Sequence, residues 1–276
     1  MNSSGDITQY YERANLVEQL RNALAACGLD DRGLTAKDLA PLDQFHSRGL
    51  AATIELAQAL QIDEATRVVD IGSGLGGPSR YLAETYGCQV RGVDLSRAFV
   101  EAASYLAERS GLGDRVSYQR GNALELPFSA GAFDLAWTQH VAMNIADRDR
   151  LYAEAFRVLR PGGRFAIFDV VAASDVPLIY PLPWARGPET SFLLTASDMR
   201  TTLEAQGFRI LSWIDSTEAG IAWFLAREAE RAQASAPHPL ALGAVMGPEF
   251  AAATLNLCRN FGEGRAALIQ AVCERA

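Results

Sequence analysis

The chain has 276 residues, 49% hydrophobic and 21% charged, a balance that excludes disordered and fibrous classes and supplies enough apolar material for a full core. Its formal net charge of -8 creates a long-range field that repels phosphate backbones, so nucleic acid is not an expected partner. No window reaches the roughly 18 consecutive apolar residues that a membrane span needs, and the opening MNSSGDITQYYERANLVEQL lacks the basic-then-apolar order of a signal peptide. A cytoplasmic protein is expected. The cysteines Cys27, Cys88, Cys258 and Cys273 form no CxxC pair, and His46, His140 and His238 form no HExxH or HxH spacing, so neither a disulfide framework nor a metal site is predicted. Lys37 is the single lysine, which leaves little scope for Schiff-base chemistry.

From Gln9 to Gln61 the apolar spacing is helical, with Leu16, Leu20, Ala23 and Leu24, then Leu50, Ile54, Ala57 and Leu60, and a helix break is expected at Pro41. This segment, residues 1–65, reads as a helical cap. Thr66 to Ile71 is a short β-branched run stopping at glycines, as a buried parallel strand does before a crossover helix. A helix closed by Gly87 follows. Strand CQVRGVD leads to a long helix, RVSYQRG to a loop, FDLAWT to a crossover helix ending in LRPGG, and GRFAIFDVV forms a fifth strand. Strands alternating with helices predict right-handed βαβ units and an α/β fold with a doubly wound, mostly parallel sheet over residues 66–276.

After Val171 the regularity breaks. Residues 172–198 contain Pro177, Pro181, Pro183 and Gly187 and read as a lid, ending in a Thr195-x-x-Asp198 capping box. Strand FRILSWID, an amphipathic helix over Glu218 to Ala234, a helix from Pro248 and a final apolar run RAALIQAVCE follow, with turns at Gly247-Pro248 and at Asn260-Phe261-Gly262. His238, in SAPHPL, reads as a loop residue.

The strongest motif is VVDIGSGLGGP, Val68 to Pro78, where the first strand hands over to a helix. Glycines there let the backbone turn sharply and approach a ligand, and proline suits the first helical turn. About 22 residues after Gly72, Asp94 ends the second strand, where a carboxylate can meet ribose hydroxyls. Gly72, Gly74 and Gly77 fit GxGxxG and by spacing also suit a dinucleotide. Asp70 argues against that: a carboxylate beside the helix amino terminus repels a pyrophosphate but accepts a cationic amino group.

Together, VVDIGSGLGG, GVD, FDLAW and RVLRPGGRF resemble, in order and spacing from Arg67 to Val171, a class I S-adenosylmethionine-dependent methyltransferase. The resemblance implies the Rossmann-like fold of that class, with the last strand antiparallel to Phe208–Asp215, and S-adenosyl-L-methionine as cofactor, S-adenosyl-L-homocysteine as product. It implies cofactor contacts from Asp70, Gly72, Ser73, Gly74, Asp94, Leu95, Asn122, Ala123, Gln139 and Gln44. Asn122 takes the place of the acid that usually faces the adenine amine, through its side-chain oxygen. LDQFH with Gly49, WTQH with Asn144 and YPLPW resemble the small-molecule branch that includes sarcosine and dimethylglycine N-methyltransferases, and more distantly sterol and ubiquinone-pathway C-methyltransferases.

Methyl transfer is an in-line displacement, so alignment and water exclusion dominate, with about 7–11 kcal/mol available from orientation in favourable systems. His46 and His140 are the candidate catalytic residues, as proton acceptors or as hydrogen-bonding groups for ligands. Tyr180 and Trp184 offer ring faces to a methylated amine. Arg48, with Arg186, suits a substrate carboxylate, and Asn144 completes the substrate set. The expected acceptor is a small molecule, an amine nitrogen first, with O- or C-methylation of a natural-product or isoprenoid-type acceptor as the alternative. A nucleotide-cofactor oxidoreductase is a more distant one. The apolar lid and cap also suit a homodimer.

Overall fold

A computed structural model describes residues 15–29, 33–233, 240–247 and 249–276. The start of the expected cap and His238 lie outside these residues. In chain order the elements are α1 (Leu16–Ala26), α2 (Ala36–Asp43), α3 (Gly49–Gln58), β1 (Arg67–Ile71), α4 (Gly77–Tyr86), β2 (Gln89–Asp94), α5 (Arg97–Arg109), β3 (Val116–Arg120) and β4 (Phe133–Gln139). Then come α6 (Arg148–Val158), β5 (Leu159–Ala172), α7 (Ala196–Ala205), β6 (Phe208–Asp215), α8 (Thr217–Gln233), α9 (Leu242–Met246), α10 (Phe250–Gly262) and β7 (Ala266–Arg275).

The seven strands form one sheet in the order β3-β2-β1-β4-β5-β7-β6. All neighbours from β3 to β5 are parallel, and β7 runs antiparallel to both β5 and β6, as expected for the final apolar run. Strand periodicity sorts side chains onto two cores. Val68, Leu135, Trp137, Ala166, Phe168 and Leu268 face one side, against Leu56, Leu82, Phe224 and Phe261. Val69, Ile71, Ala136, Phe165, Ile167 and Ile269 face the other, against Leu151, Tyr152, Met199 and Leu203 of α6 and α7. A third cluster packs Leu16, Leu20 and Leu24 of α1 and Leu39 and Leu42 of α2 against Phe99, Ala102 and Leu106 of α5.

Three local expectations are corrected. Pro41 does not break the helix: α2 starts at a full capping box between Thr35 and Asp38 and runs through Pro41 to Asp43. The missing N–H falls near the helix end, where burial of Leu39 and Leu42 outweighs one absent bond. LRPGG is not a helix end but the bulged start of β5, because pairing with β4 jumps from Phe133–Leu159 to Leu135–Arg164. Asn260-Phe261-Gly262 is no turn but the last turn of α10, where buried Asn260 accepts from the Ile179 amide at 2.9 Å and donates to its carbonyl at 3.0 Å, tying the segment after β5 to this helix.

The cap is fixed by a buried ion pair. Arg80 of α4 donates to Asp43 Oδ2 at 2.6 Å and to the Leu75 carbonyl at 2.7 Å, and both charged side chains are fully shielded from water. Removing one partner of such a pair leaves the other buried and uncompensated, typically about 3–5 kcal/mol. Arg80→Met is expected to lower the unfolding free energy by about that amount, measured by urea titration, and adding Asp43→Asn should recover part of the loss.

Candidate active site

β1, β2, β3 and β4 end at Ile71, Asp94, Arg120 and Gln139 on the carboxyl edge of the sheet, and β1 lies between β2 and β4, where the strand order reverses. In open α/β sheets that reversal opens a crevice beyond the strand ends. Here it is a cavity of about 270 Å³. Its walls are the glycine loop, the ends of β2 and β4, the turn after β3, Phe45 and His46 from the cap, and Pro183, Trp184, Met246 and Phe250.

The loop is shaped by close approach. Gly72 has φ +74°, donates to the Val93 carbonyl at 2.8 Å, and has Val141 so near that a Cβ would stand 2.4 Å from its methyl carbon. Only glycine fits both demands. At Gly77 a Cβ would lie 2.6 Å from the Asp43 carbonyl, so the cap rests directly on the loop helix. Asp94 is held by two amides, Gly74 N–H to Oδ2 at 2.9 Å and Ser96 N–H to Oδ1 at 2.8 Å. Burial raises its pKa, and the residue lines the cavity. Asp70 Oδ2 accepts from the Ser79 hydroxyl at 2.6 Å. Burial pushes Asp70 up to about 7; the Ser79 hydrogen bond opposes this, and the charge of Asp94 adds to it.

Two histidines meet at the other end. His140 follows β4 with φ +53°, an unusual value for a non-glycine residue, and its amide donates to the Phe168 carbonyl at 2.8 Å. Its ring stacks on Phe168 with centroids 5.2 Å apart and stands 6.0 Å from the ring of His46. His46 Nδ1 lies 3.2 Å from the Ser47 carbonyl, and its Nε2 lies 3.0 Å from Gln44 Oε1 and 3.2 Å from the Thr53 hydroxyl. Burial brings His46 down to about 4 and His140 well below its ordinary value, so both rings are neutral at pH 7. Thr53 also donates towards Gln139 Oε1 at 3.2 Å, an oxygen that accepts from Trp137 Nε1 at 2.9 Å, which links the cap to the end of β4.

Among the described residues, four cavity-lining side chains keep a buried polar atom with no protein partner: Ser73 Oγ, Gln139 Nε2, His140 Nε2 and Asn144 Oδ1. Unpaired buried polar atoms are costly, and so many around one cavity point to a polar ligand.

Of the residues singled out in the sequence, the cavity brings together His46, Asp70, Gly72, Ser73, Gly74, Asp94, Leu95, Asn122, Ala123, Gln139, His140, Asn144 and Trp184. Gln44 stands behind His46 as its hydrogen-bond neighbour. Arg48 does not line the cavity; its guanidinium is paired with Glu55. Arg186 pairs with Glu249 on the outer surface. Tyr180 packs against the first core instead. The side-chain oxygen expected to be free on Asn122 accepts from the Leu124 amide at 2.9 Å, because an Asx-type turn follows β3. Sequence reasoning missed Phe45, Val141, Met143, Met246 and Phe250 as wall residues. Phe45 sits within the cap's polar cluster, whereas nothing local marks the last two. Asp169, fully buried beneath the His140 turn, was also missed; it accepts from the Ala142 amide at 3.1 Å.

Residues 69–167 match the family described as Methyltransferase domain. The chain contains a class I methyltransferase domain. It is 33% identical over 187 residues to the sarcosine/dimethylglycine N-methyltransferase of Halorhodospira halochloris, covering 67% of this chain and 66% of that protein. It is 43% identical over 128 residues to a probable chloroplastic tocopherol O-methyltransferase of Oryza sativa subsp. japonica, covering 44% of this chain but 35% of that one. The shared stretches therefore span about a third to two thirds of these relatives' own lengths. The geranyl diphosphate C-methyltransferase of Streptomyces coelicolor A3(2), solved with Mg2+, geranyl diphosphate and S-adenosyl-L-homocysteine, superimposes with TM-score 0.72 over 100% of this chain and 98% of its own, at 18% identity, which is a likeness of fold. No helix among the described residues is long and apolar enough to cross a membrane.

The raised pKa of Asp70 has a stability signature. Its folded value, about 7, lies above the ordinary 3.8, so its contribution is complete below pH 4 and is lost as pH rises through 7. Asp70→Asn is expected to match the parent protein near pH 4 and to exceed it in unfolding free energy at pH 8, measured by denaturant titration at both pH values.

Proposed function

We propose that the protein is an S-adenosylmethionine-dependent methyltransferase that methylates a small molecule, with an amine nitrogen as the preferred acceptor. The observation that carries this reading is the set of four unpartnered buried polar atoms on residues that line one cavity, beside a carboxylate fixed across a glycine loop. The cofactor fits these residues. Asp94 would accept from the ribose hydroxyls, the close-packed loop from Gly72 to Gly74 would lie along the methionine part, and Asp70 would face its amino group. Leu95 and Ala123 would flank the adenine, and Gln139 Nε2 would supply a donor. Bound there, S-adenosylmethionine supplies an electrophilic methyl group on a sulfonium.

The chain's own residues then align the acceptor and keep water out. Phe45 closes over the loop, 3.2 Å from where a Cβ on Gly74 would stand, and Trp184 is fixed by its Nε1 hydrogen bond to Ser191 Oγ at 3.0 Å. Residues 172–198 act as the lid and residues 1–65 as the cap. Neutral His140, whose Nε2 has no protein partner, hydrogen-bonds the acceptor's nitrogen or hydroxyl, and His46 positions the ligands. The nitrogen reading is supported by the 33% identity to an N-methyltransferase. A second reading, O-methylation, is supported by the 43% identity to the tocopherol enzyme and by the same neutral imidazole, which serves a hydroxyl equally well.

Isothermal titration with S-adenosylmethionine, S-adenosylhomocysteine and NAD in parallel tests the reading; binding of NAD alone would overturn it. Asp94→Ala removes charge-assisted hydrogen bonds, each worth about 1.5–3 kcal/mol, and should weaken cofactor binding by about 10- to 100-fold. Because a cationic ligand favours ionised Asp70, affinity for S-adenosylmethionine should rise with pH through about 7 and release protons. Asp70→Asn should abolish that rise, while Asp94, Ser79 and Arg80 around it stay in place. His140→Ala should lower kcat with little change in cofactor affinity, measured by steady-state kinetics and titration on the same preparation.

A further inference from the structure

We infer that Arg148 is the positioning residue of the acceptor side of the cavity, holding the turn after β4 and the segment that carries Trp184 at one fixed spacing, an inference that rests on the methyl-transfer reading of the same cavity. Arg148 stands behind the wall rather than in it. It opens α6, whose N-cap is Asp147. A cation gains nothing from the helix dipole at that end, yet Arg148 is only 5% exposed. Burying a guanidinium is costly unless hydrogen bonds repay it, so its partners show what it serves.

Those partners lie outside α6. Nη2 donates to the Ala142 carbonyl at 2.6 Å and to the Phe192 carbonyl at 2.9 Å. The Phe192 amide in turn donates to the Met143 carbonyl at 2.8 Å. Two segments far apart in sequence are thereby laced side by side, and both build the wall. The first supplies His140, Val141, Met143 and Asn144. The second supplies Trp184, whose Nε1 donates to Ser191 Oγ at 3.0 Å, on the residue next to the Arg148 contact.

From the other side, β5 grips the same turn. The Phe168 carbonyl accepts from the His140 amide at 2.8 Å, and Asp169 Oδ2 accepts from the Ala142 amide at 3.1 Å. Burial pushes Asp169 up to about 6, and the charge of Arg148 opposes this. Ala142 is thus fixed through its amide by a carboxylate and through its carbonyl by a guanidinium. That double hold lies two residues after His140 and sustains its φ of +53°. The cofactor side has supports of its own, the Gly74 amide on Asp94 and Arg80 on the Leu75 carbonyl. Because methyl transfer depends on alignment, a small shift of the acceptor wall alone is enough to slow it.

The test is fluorine NMR of protein labelled with 5-fluorotryptophan, in which Trp137, Trp184, Trp213 and Trp223 each give one resonance and Trp184→Phe assigns the relevant one. Arg148→Met is expected to move the Trp184 resonance by more than its linewidth and to leave Trp213 and Trp223 in place. Ser191→Ala should move the same resonance with Arg148 intact, and Arg148→Lys, which keeps the charge without the fork, should give a smaller displacement. Affinity for S-adenosylhomocysteine, titrated on the same preparations, should change by less than about tenfold. If Arg148→Met does not fold, combining it with Asp169→Asn removes both buried charges, and the Trp184 resonance should still move. A Trp184 resonance that stays in place, all resonances moving together, or a larger loss of cofactor affinity would overturn the inference. Failure of S-adenosylhomocysteine to bind the parent protein would instead remove the cofactor assignment, and the Trp184 comparison still judges the role of Arg148.

Discussion

The cavity depends on one buried guanidinium. Arg80 bonds to Asp43 at the end of the cap helix, to the Leu75 carbonyl in the glycine loop and, at 3.4 Å, to the Ala103 carbonyl of α5. Three elements far apart in sequence meet on one planar group, whose fork geometry suits several acceptors at once. Gln44, Phe45 and His46 follow Asp43 directly, so the cap residues that reach the cavity inherit their position from this contact. The absence of a side chain at Gly77 lets the Asp43 carbonyl come close enough for the pair to form.

Burial sets the charge state of the site more than any single partner does. It holds His46 and His140 neutral and brings Asp70 close to neutrality, while Asp43, despite its arginine, is pushed up to about 6. Desolvation acts in opposite directions on acids and bases but towards the same end, an environment poor in fixed charge. Such an environment favours a reaction in which positive charge disperses, because no reorganising water competes with the aligned groups.

The parallel half of the sheet was legible in the sequence because β1, β2 and β3 are short runs stopped by Gly72, Asp94 and Gly121, and β4 and β5 are mainly apolar runs alternating with helices. The glycine loop and Asp94 were legible for the same reason: a backbone constraint leaves a residue signature. Arg48 and Tyr180 were misplaced because their chemistry suited a ligand, yet Arg48, at the amino-terminal cap of α3, pairs with Glu55 within that helix, and Tyr180 packs against the core. Asn122 matched its position, and its side-chain oxygen also accepts in the local turn, as short polar side chains commonly do. Met246 and Phe250 were not legible, since they reach the cavity only through the packing of α9 and α10. The Arg80–Asp43 pair joins two ordinary-looking residues across 37 positions, and nothing in either neighbourhood marks the other.

The antiparallel placement of β7 has an evolutionary consequence. Ala172, at the end of β5, pairs with Ala266, at the start of β7, and the Ala173 amide donates to the Arg265 carbonyl at 3.1 Å. The chain between them, residues 173–265, starts and ends at adjoining rungs and contributes one strand of its own, β6, which pairs only with β7 at the edge of the sheet. It carries Trp184, Met246 and Phe250 and none of the glycine loop or Asp94. The segment is thus a module with closely spaced ends, and its loops on either side of β6 can be lengthened, shortened or exchanged while the first five strands keep their register. A single scaffold can acquire new acceptors this way, with drift in one half and constancy in the other.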